Sequence, residues 1–298
     1  MISKLSELGD RVSSHTAKRR LVLAVAHDRH ALEAVCMASD KGFIEPVLIG
    51  DAVEINTQLR NLGHAPGKFD VVNETDSQLA VEKSVRMISG GNAHILMKGN
   101  CSTSALIKGV LNKEWGLRKG ELLSHFAWFE TRFYHKMLGV TDVAINIAPD
   151  LNQKKSILSN AVDCMHQLGI LIPKVAAIAA VEVVNEQMQA TVDAGDLASL
   201  NRDGIIKGCV VEGPLALDNA ISAESARHKN IGGVVPGDPD LLLMPDIEAG
   251  NVFYKTLTYL SEVRVASVVI GATAPIVLTS RSDSPDSKLN SILLAACI

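Results

Sequence analysis

Aromatic residues are scarce. Phe, Tyr and Trp make up 4% of the 298 residues, which argues against a stacking platform for nucleic-acid bases. Neither sign of charge dominates. Lys and Arg number 29 against 33 Asp and Glu, a formal net charge of −4, so neither nucleic acid nor an anionic lipid surface has an electrostatic hold. Cysteine is sparse. Cys36, Cys101, Cys164, Cys209 and Cys297 are scattered without CxxC spacing; such a set builds no disulfide framework or zinc site and reads as reduced thiols packed in a core. Long apolar runs are missing too. LVLAVA and VAAIAAVEVV fall short of the about 18 residues a bilayer span needs. The amino terminus, MISKLSELGDRVSSHTAKRR, has no apolar core of a signal peptide. The expectation is a soluble, cytoplasmic protein.

Apolar residues at 47% and charged ones at 21% describe an ordinary globular chain. Its length predicts about two domains. Short apolar runs alternate with amphipathic stretches. LVLAVAHD (21–28), PVLIGD (46–51) and HILMKG (94–99) read as buried strands, and so do AINIAP, VAAIAAVEVV, CVVEGP, LLLMPD, VASVVIGA and PIVLTS. Helical segments separate most of them; HALEAVCMASDKG is one, stopped by Gly42. The βαβ alternation predicts an α/β protein with largely parallel sheets covered on both faces. The predicted boundaries give a first domain of 1–138 plus 284–298 and a second of 139–283.

Ligands of open α/β sheets bind beyond the carboxyl ends of strands, beside helix amino termini. No GxxxxGK[ST], HExxH, GxSxG or GxGxxG occurs there, and the glycines of NIGGVVPGDPD read as a turn. The most informative segment is PIVLTSRSDSPDSKLNSILLAACI (275–298). Ser284-Pro285-Asp286 is a helix start, with Ser as cap, Pro first and an acid in the first turn. Ser280-Arg281-Ser282-Asp283 precedes it, where free N–H groups and half a positive charge favour an anion. Arg281 adds a fork for phosphate or carboxylate. A bland alternative stays open: Arg281 pairs with Asp283 or Asp286 at the surface. Other strand ends carry Lys98-Gly99-Asn100 with Thr103 and Lys108, Glu212-Gly213-Pro214 with Asp218-Asn219, and Asp246 with Asn251 and Lys255. Solvated lysines and helix caps are the competing readings. His27 and His30 flank Asp28-Arg29 and do not suggest a metal site; Asp193 and Asp196 are expected to face water.

Six segments taken in order resemble the phosphate acetyl/butyryl transferase family, most closely its butyryl members: MKGNCSTSALIKGVLNKEWGLR, ELLSH, PKVAAIAAVEVVNEQMQATVDAGDL, EGPLALDNAIS, MPDIEAGNVFYK and PIVLTSRSDSPDSKLNSI. The resemblance implies two α/β domains of the isocitrate/isopropylmalate dehydrogenase type with the active site in the interdomain cleft. It implies reversible transfer of a short acyl group, butyryl first, between coenzyme A and phosphate. Both are substrates, and no metal or other cofactor is implied. Arg281 is expected to hold phosphate and Ser280 to donate to the oxyanion. Asp286 is nearest to the position of the family's thiol base, with Ser287 in the expected place and Asp283 a second candidate. Asp218, Asn251 and Lys255 are expected at the acyl-phosphate site. Lys98, Thr103 and Lys108 are expected on coenzyme A, with Lys108 standing where acetyl-specific members carry Arg. A homodimer or higher homo-oligomer is expected. Acetyl transfer, an NAD- and metal-dependent hydroxyacid dehydrogenase and a non-catalytic acyl-CoA-binding module are the alternatives.

Overall fold

In the computed structural model of the chain, residues 2–279 and 283–298 are described. They form two compact units. An amino-terminal unit comprises Leu5–Gly120 and Ala266–Ile298; a central unit comprises residues 2–4 and Glu121–Val265.

The amino-terminal unit opens with α1 (Glu7–Ser13), then alternates β1 (Arg19–Ala24), α2 (Arg29–Asp40), β2 (Ile44–Gly50), α3 (Ala52–Asn61), β3 (Asp70–Asn73), α4 (Ser77–Ser89), β4 (Ile95–Lys98) and α5 (Thr103–Val110). The apolar run of β1 disappears into the core: Leu21, Val22, Leu23 and Ala24 are fully buried. β1 pairs in parallel with β2 on one side and β4 on the other, Leu23 facing both Leu48 and Met97. A polar residue starts each crossover helix. Asp28, Asp51, Asp76 and Ser102 accept hydrogen bonds from first-turn amides of α2, α3, α4 and α5, satisfying donors that no helix can satisfy internally.

The central unit contains β5 (Ser124–Thr131), β6 (Leu138–Thr141), α6 (Leu151–Gln167), β7 (Lys174–Ile178), α7 (Gln189–Arg202), β8 (Val210–Leu215), the short helices α8 (Leu217–Ile221) and α9 (Ala223–His228), β9 (Leu241–Leu243) and α10 (Ile247–Leu260). Its strand order is β5-β6-β9-β7-β8. All of these pairs are parallel except the β5–β6 hairpin. Phe129, Val140, Ala176 and Leu242 lie in its buried core.

The chain then passes through β10 (Val263–Ile270) to β11 (Ile276–Val277) and α11 (Pro285–Cys297). These complete the amino-terminal sheet in the order β3-β2-β1-β4-β11-β10, with β11 parallel to β4 and β10 antiparallel to β11. The α11 start is the one the sequence predicts, capped by Ser284 with Pro285 first.

Three expectations shift. AINIAP is no strand. The Asp142 carboxylate accepts from the amides of Ala144, Ile145 and Asn146 and turns the chain, leaving Ile147 exposed. VAAIAAVEVV gives a strand only to Ile178; Val183 and Val184 are exposed. The unit boundaries lie at 120/121 and 265/266, where the sequence reading places them at 138/139 and 283/284. The strand pairing explains the difference: β5 pairs with β6 and so belongs to the central unit, while β11 pairs with β4 and so belongs to the amino-terminal one.

Candidate functional site

Parallel register brings strand carboxyl ends to one level. In the amino-terminal unit Ala24 faces Lys98 and Met97 faces Val277. The ends of β1, β4 and β11 therefore lie side by side, each leading towards the first turn of a helix: α2, α5 and α11. Three helix amino termini give this edge a positive character. Gly99 lets two of the chains touch. A Cβ there would lie 2.3 Å from the Val25 carbonyl oxygen and 2.6 Å from that of Ala24.

Lys98 is half-buried, and its Nζ donates to the carbonyls of Gly99 (3.1 Å) and Cys101 (3.2 Å). Thr103 is exposed as the first residue of α5. Lys108 is exposed in the last turn of α5, so it stands at the far end of that helix from Lys98 and Thr103. Ser280 and Arg281 lie outside the described residues. Asp286 is exposed in the first turn of α11. The backbone carbonyl of Asp283 accepts a 2.6 Å hydrogen bond from Lys288 Nζ. Lys288 is 3% exposed, and burial pulls its pKa down, with Asp283 and Asp28 opposing and Lys98 adding to the effect. Sequence reasoning passed over this lysine. The signal available was its place on α11, whose remaining residues onward to Cys297 are uncharged.

The central unit has its own polar edge, where Thr141, Leu243 and Ala177 share one level. The hairpin register, Ala127 opposite Val140, carries His125 to Asp142. Thr141 Oγ1 donates to the His125 carbonyl at 2.8 Å. Burial lowers the His125 pKa, opposed by the Asp142 charge, and its buried Nδ1 has no hydrogen-bond partner among the described residues. Asp142 accepts four hydrogen bonds, the fourth from Asn146 Nδ2 at 2.6 Å. Neither residue was singled out from the sequence, because a lone His in an apolar strand carries no pattern.

The predicted acyl-phosphate residues separate into two groups. Asp218 accepts from Ser225 Oγ (2.9 Å) and pairs with Lys229 (3.0 Å); hydrogen bonds from Lys229 and Ser225 hold its carboxyl below the usual range. Asn251 Nδ2 donates to the Val143 carbonyl at 3.1 Å, and Lys255 lies exposed further along α10. Among the described residues no hydrogen bond or ion pair joins Asp218 to Asn251 or Lys255. Asn219 is fully buried, with neither side-chain polar atom partnered among the described residues.

Glu212 is committed to its own loop. Its carboxylate accepts from the amides of Val234 and Val235, and a Cβ on Gly233 (φ +126°) would lie 2.1 Å from Glu212 Oε2. The glycine-dense segment is thus a turn wrapped on a carboxylate. Asp193 does not face water. It is 4% exposed and bound to Lys154 Nζ at 2.6 Å and to Gln189 Nε2 at 2.8 Å. Lys154 neutralises the charge that burial would otherwise penalise.

All five cysteines are buried and free, as the sequence predicts. Burial pushes the thiols up: Cys36 to about 12, and Cys209 and Cys297 to about 11. No helix among the described residues is long and apolar enough to cross a membrane.

A family model described as phosphate acetyl/butaryl transferase matches residues 5–86 and 74–296. A phosphate butyryltransferase of Clostridium acetobutylicum is 45% identical over 298 residues, covering 100% of this chain and 99% of that protein. A phosphate acetyltransferase of Thermotoga maritima is 39% identical over 93% of this chain and 94% of its own length. Among solved structures, a branched-chain phosphotransacylase from Enterococcus faecalis superposes with a TM-score of 0.84 at 31% identity, covering 94% of this chain and 98% of that one. A 4-hydroxythreonine-4-phosphate dehydrogenase from Klebsiella pneumoniae superposes with a TM-score of 0.59 at 10% identity, covering 95% and 100%. This last likeness is one of fold alone, and it agrees with the dehydrogenase-type α/β architecture expected from the sequence.

Proposed function

This chain belongs to the phosphate acetyl/butaryl transferase family, and from that premise we propose that it moves a short-chain acyl group reversibly between coenzyme A and inorganic phosphate, with butyryl as the preferred group. The observation that carries the reading is the 45% identity, over the whole chain, to a protein named phosphate butyryltransferase. The acetyl reading is second, because a relative bearing that name, from Thermotoga maritima, stands at 39%.

In the acyl-phosphate direction a phosphate oxygen attacks the thioester carbonyl carbon. A C–O bond forms, the C–S bond breaks, and coenzyme A leaves as the thiolate and then takes a proton. In reverse, a base removes the thiol proton and the thiolate attacks the acyl phosphate. An unperturbed thiol, with a pKa near ~8.5, is mostly protonated at neutral pH, so a base and nearby cations assist. We assign Arg281 to phosphate and Ser280 to the oxyanion, where one donor is worth about a hundredfold or more in turnover. Asp286 is the first candidate for the base and Asp283 the second. Exposure of the Asp286 side chain gives it access to a substrate thiol. Lys98 and Thr103 share one strand end and suit the phosphates of coenzyme A. Lys108 is retained on the family resemblance, at the other end of α5. Asp218, Asn251 and Lys255 keep their assignment to the acyl phosphate on the same ground. Neither a resident metal nor a redox cofactor enters the scheme. A cytoplasmic homo-oligomer is the setting we propose.

The test is a rate comparison across acetyl-, propionyl-, butyryl- and isobutyryl-CoA with phosphate as acceptor, followed by thiol release. The expected outcome is turnover with all four and the highest kcat/KM for butyryl-CoA. A preference for acetyl-CoA would replace the butyryl reading by the acetyl one. Coenzyme A binding without turnover on any chain would point to a binding module, and NAD reduction with a hydroxyacid and Mg²⁺ to a dehydrogenase.

A further inference from the structure

Successive side chains of a strand point to opposite faces, so His125, Ala127 and Phe129 share one face of β5. Two of the three carry rings. Tyr254 of α10 lies edge-on to both, its ring centroid 6.0 Å from that of His125 and 5.5 Å from that of Phe129. The same helix is gripped again at its start. A Cβ on Gly250 would lie 2.5 Å from the Asp142 carbonyl oxygen and 3.1 Å from Val143 Cα, and Asn251 Nδ2 donates to the Val143 carbonyl at 3.1 Å. Asn251 lies about one helical turn ahead of Tyr254, and Lys255 follows Tyr254 directly. The two residues of α10 expected at the acyl phosphate therefore flank the side chain that docks the helix on β5.

An imidazole carries a penalty in this seat that a phenyl ring, such as Phe129 supplies, does not. His125 is 6% exposed, and its buried Nδ1 has no hydrogen-bond partner among the described residues; a buried polar atom left unmatched is unfavourable. Asp142 at the end of β6 is the charge that acts on the ring. Tyr254 is the titratable group that α10 presents to it, and α6 brings the neutral Asn160 to the neighbouring Ser124 at 3.2 Å.

We propose that His125 is a positioning residue for the acyl phosphate: with Phe129 it seats Tyr254, and so fixes the stretch of α10 that carries Asn251 and Lys255. The proposal rests on the acyl-transfer reading, which supplies the ligand of those two residues. It gives the imidazole a consequence that a phenyl ring would lack. Burial disfavours the charged ring, so it takes up its proton below the ordinary value of 6.5. The charge is then drawn towards the Asp142 carboxylate and away from Tyr254, and the seat of α10 loosens.

The experiment compares the full chain with His125→Ala, His125→Phe and Tyr254→Leu. Steady-state transfer from butyryl phosphate to coenzyme A is followed at neutral pH and in steps below it. For His125→Ala the KM for butyryl phosphate is expected to rise by about tenfold to a hundredfold, the scale of a slightly misplaced binding group, while the KM for coenzyme A stays within about twofold. Tyr254→Leu gives the same split. His125→Phe, which keeps a ring against Tyr254, recovers most of the butyryl phosphate KM at neutral pH. It also loses the rise in that KM which the unsubstituted chain shows as pH falls below 6.5. The proposal is overturned if both substrates are affected alike in His125→Ala and Tyr254→Leu, if neither variant alters the butyryl phosphate KM, or if His125→Phe keeps the acid rise. Should His125→Ala not fold, the Tyr254→Leu split and the His125→Phe pH profile decide. Absence of transfer by the unsubstituted chain overturns the acyl-transfer reading and this proposal together; transfer without the split overturns the positioning role alone.

Discussion

Charge in this chain is placed residue by residue, and buried charges are matched by partners. Asp193 is answered by Lys154 and Gln189, Asp142 by four donors around its carboxylate, and Lys288 by a carbonyl and two carboxylates. The functional assignments are tested at this scale. Arg281→Ala is expected to cut acyl transfer by about a hundredfold or more while the far-ultraviolet circular dichroism spectrum stays the same. Near-normal thiol release by that variant would remove Arg281 from the mechanism. Asp286→Asn is expected to slow transfer from acyl phosphate to coenzyme A by about a hundredfold, within the usual range for a general base. If Asp283→Asn has that effect instead, the base is Asp283. Arg281 could be nominated from the sequence because Ser280-Arg281 sits between a strand pattern and a strong helix cap. Lys288 and His125 could not, since a single polar residue inside an apolar stretch becomes meaningful only when its burial and neighbours are known.

Elements were legible where local chemistry decides them. α11 begins where Ser-Pro-Asp says it should, and α2 ends before Gly42, whose φ is +75°. AINIAP failed because one side chain outweighed its apolar content: Asp142 captures three successive amides and bends the chain out of strand geometry. β5 was not among the strands read from the sequence; its hairpin with β6 reveals it. The β4–α5 element carries its own prediction. Gly99→Ala sets a methyl against the Val25 and Ala24 carbonyls and is expected to cost about 1–3 kcal/mol, the range for overpacking. It also moves Lys98, so the KM for coenzyme A is expected to rise; chemical denaturation and initial rates check the two effects separately.

For the molecule as a whole, stability is expected to decline in acid through two groups, one buried neutral and one held ionised. His125 has a lowered pKa through burial, so the unfolded chain takes up that proton first and stability falls as pH drops below the ordinary value of 6.5. Asp238 acts at lower pH. Burial pushes its pKa up, but hydrogen bonds from Lys136, Lys174 and His135 outweigh this and hold it well below the ordinary carboxyl value of 3.8. Its contribution is complete above that value and disappears as pH falls towards the depressed one. The thermal midpoint is expected to be nearly flat above pH 7, to decline below 6.5 and to fall more steeply below 4. Asp238→Asn is expected to lower the midpoint at neutral pH and to flatten the steep limb; an unchanged limb would remove Asp238 from the account.

The strand order of the amino-terminal unit bears on how the chain is made. β11 lies between β4 and β10, and α11 packs against α2, yet everything from Ala266 onward leaves the ribosome after the central unit has been synthesised. The earlier-born half of the fold must therefore wait, its sheet lacking an interior member, until the later-born segment slots in. A nascent chain stalled before Ala266 would carry a finished central unit and an uncapped sheet edge on β4, the kind of surface chaperones recognise.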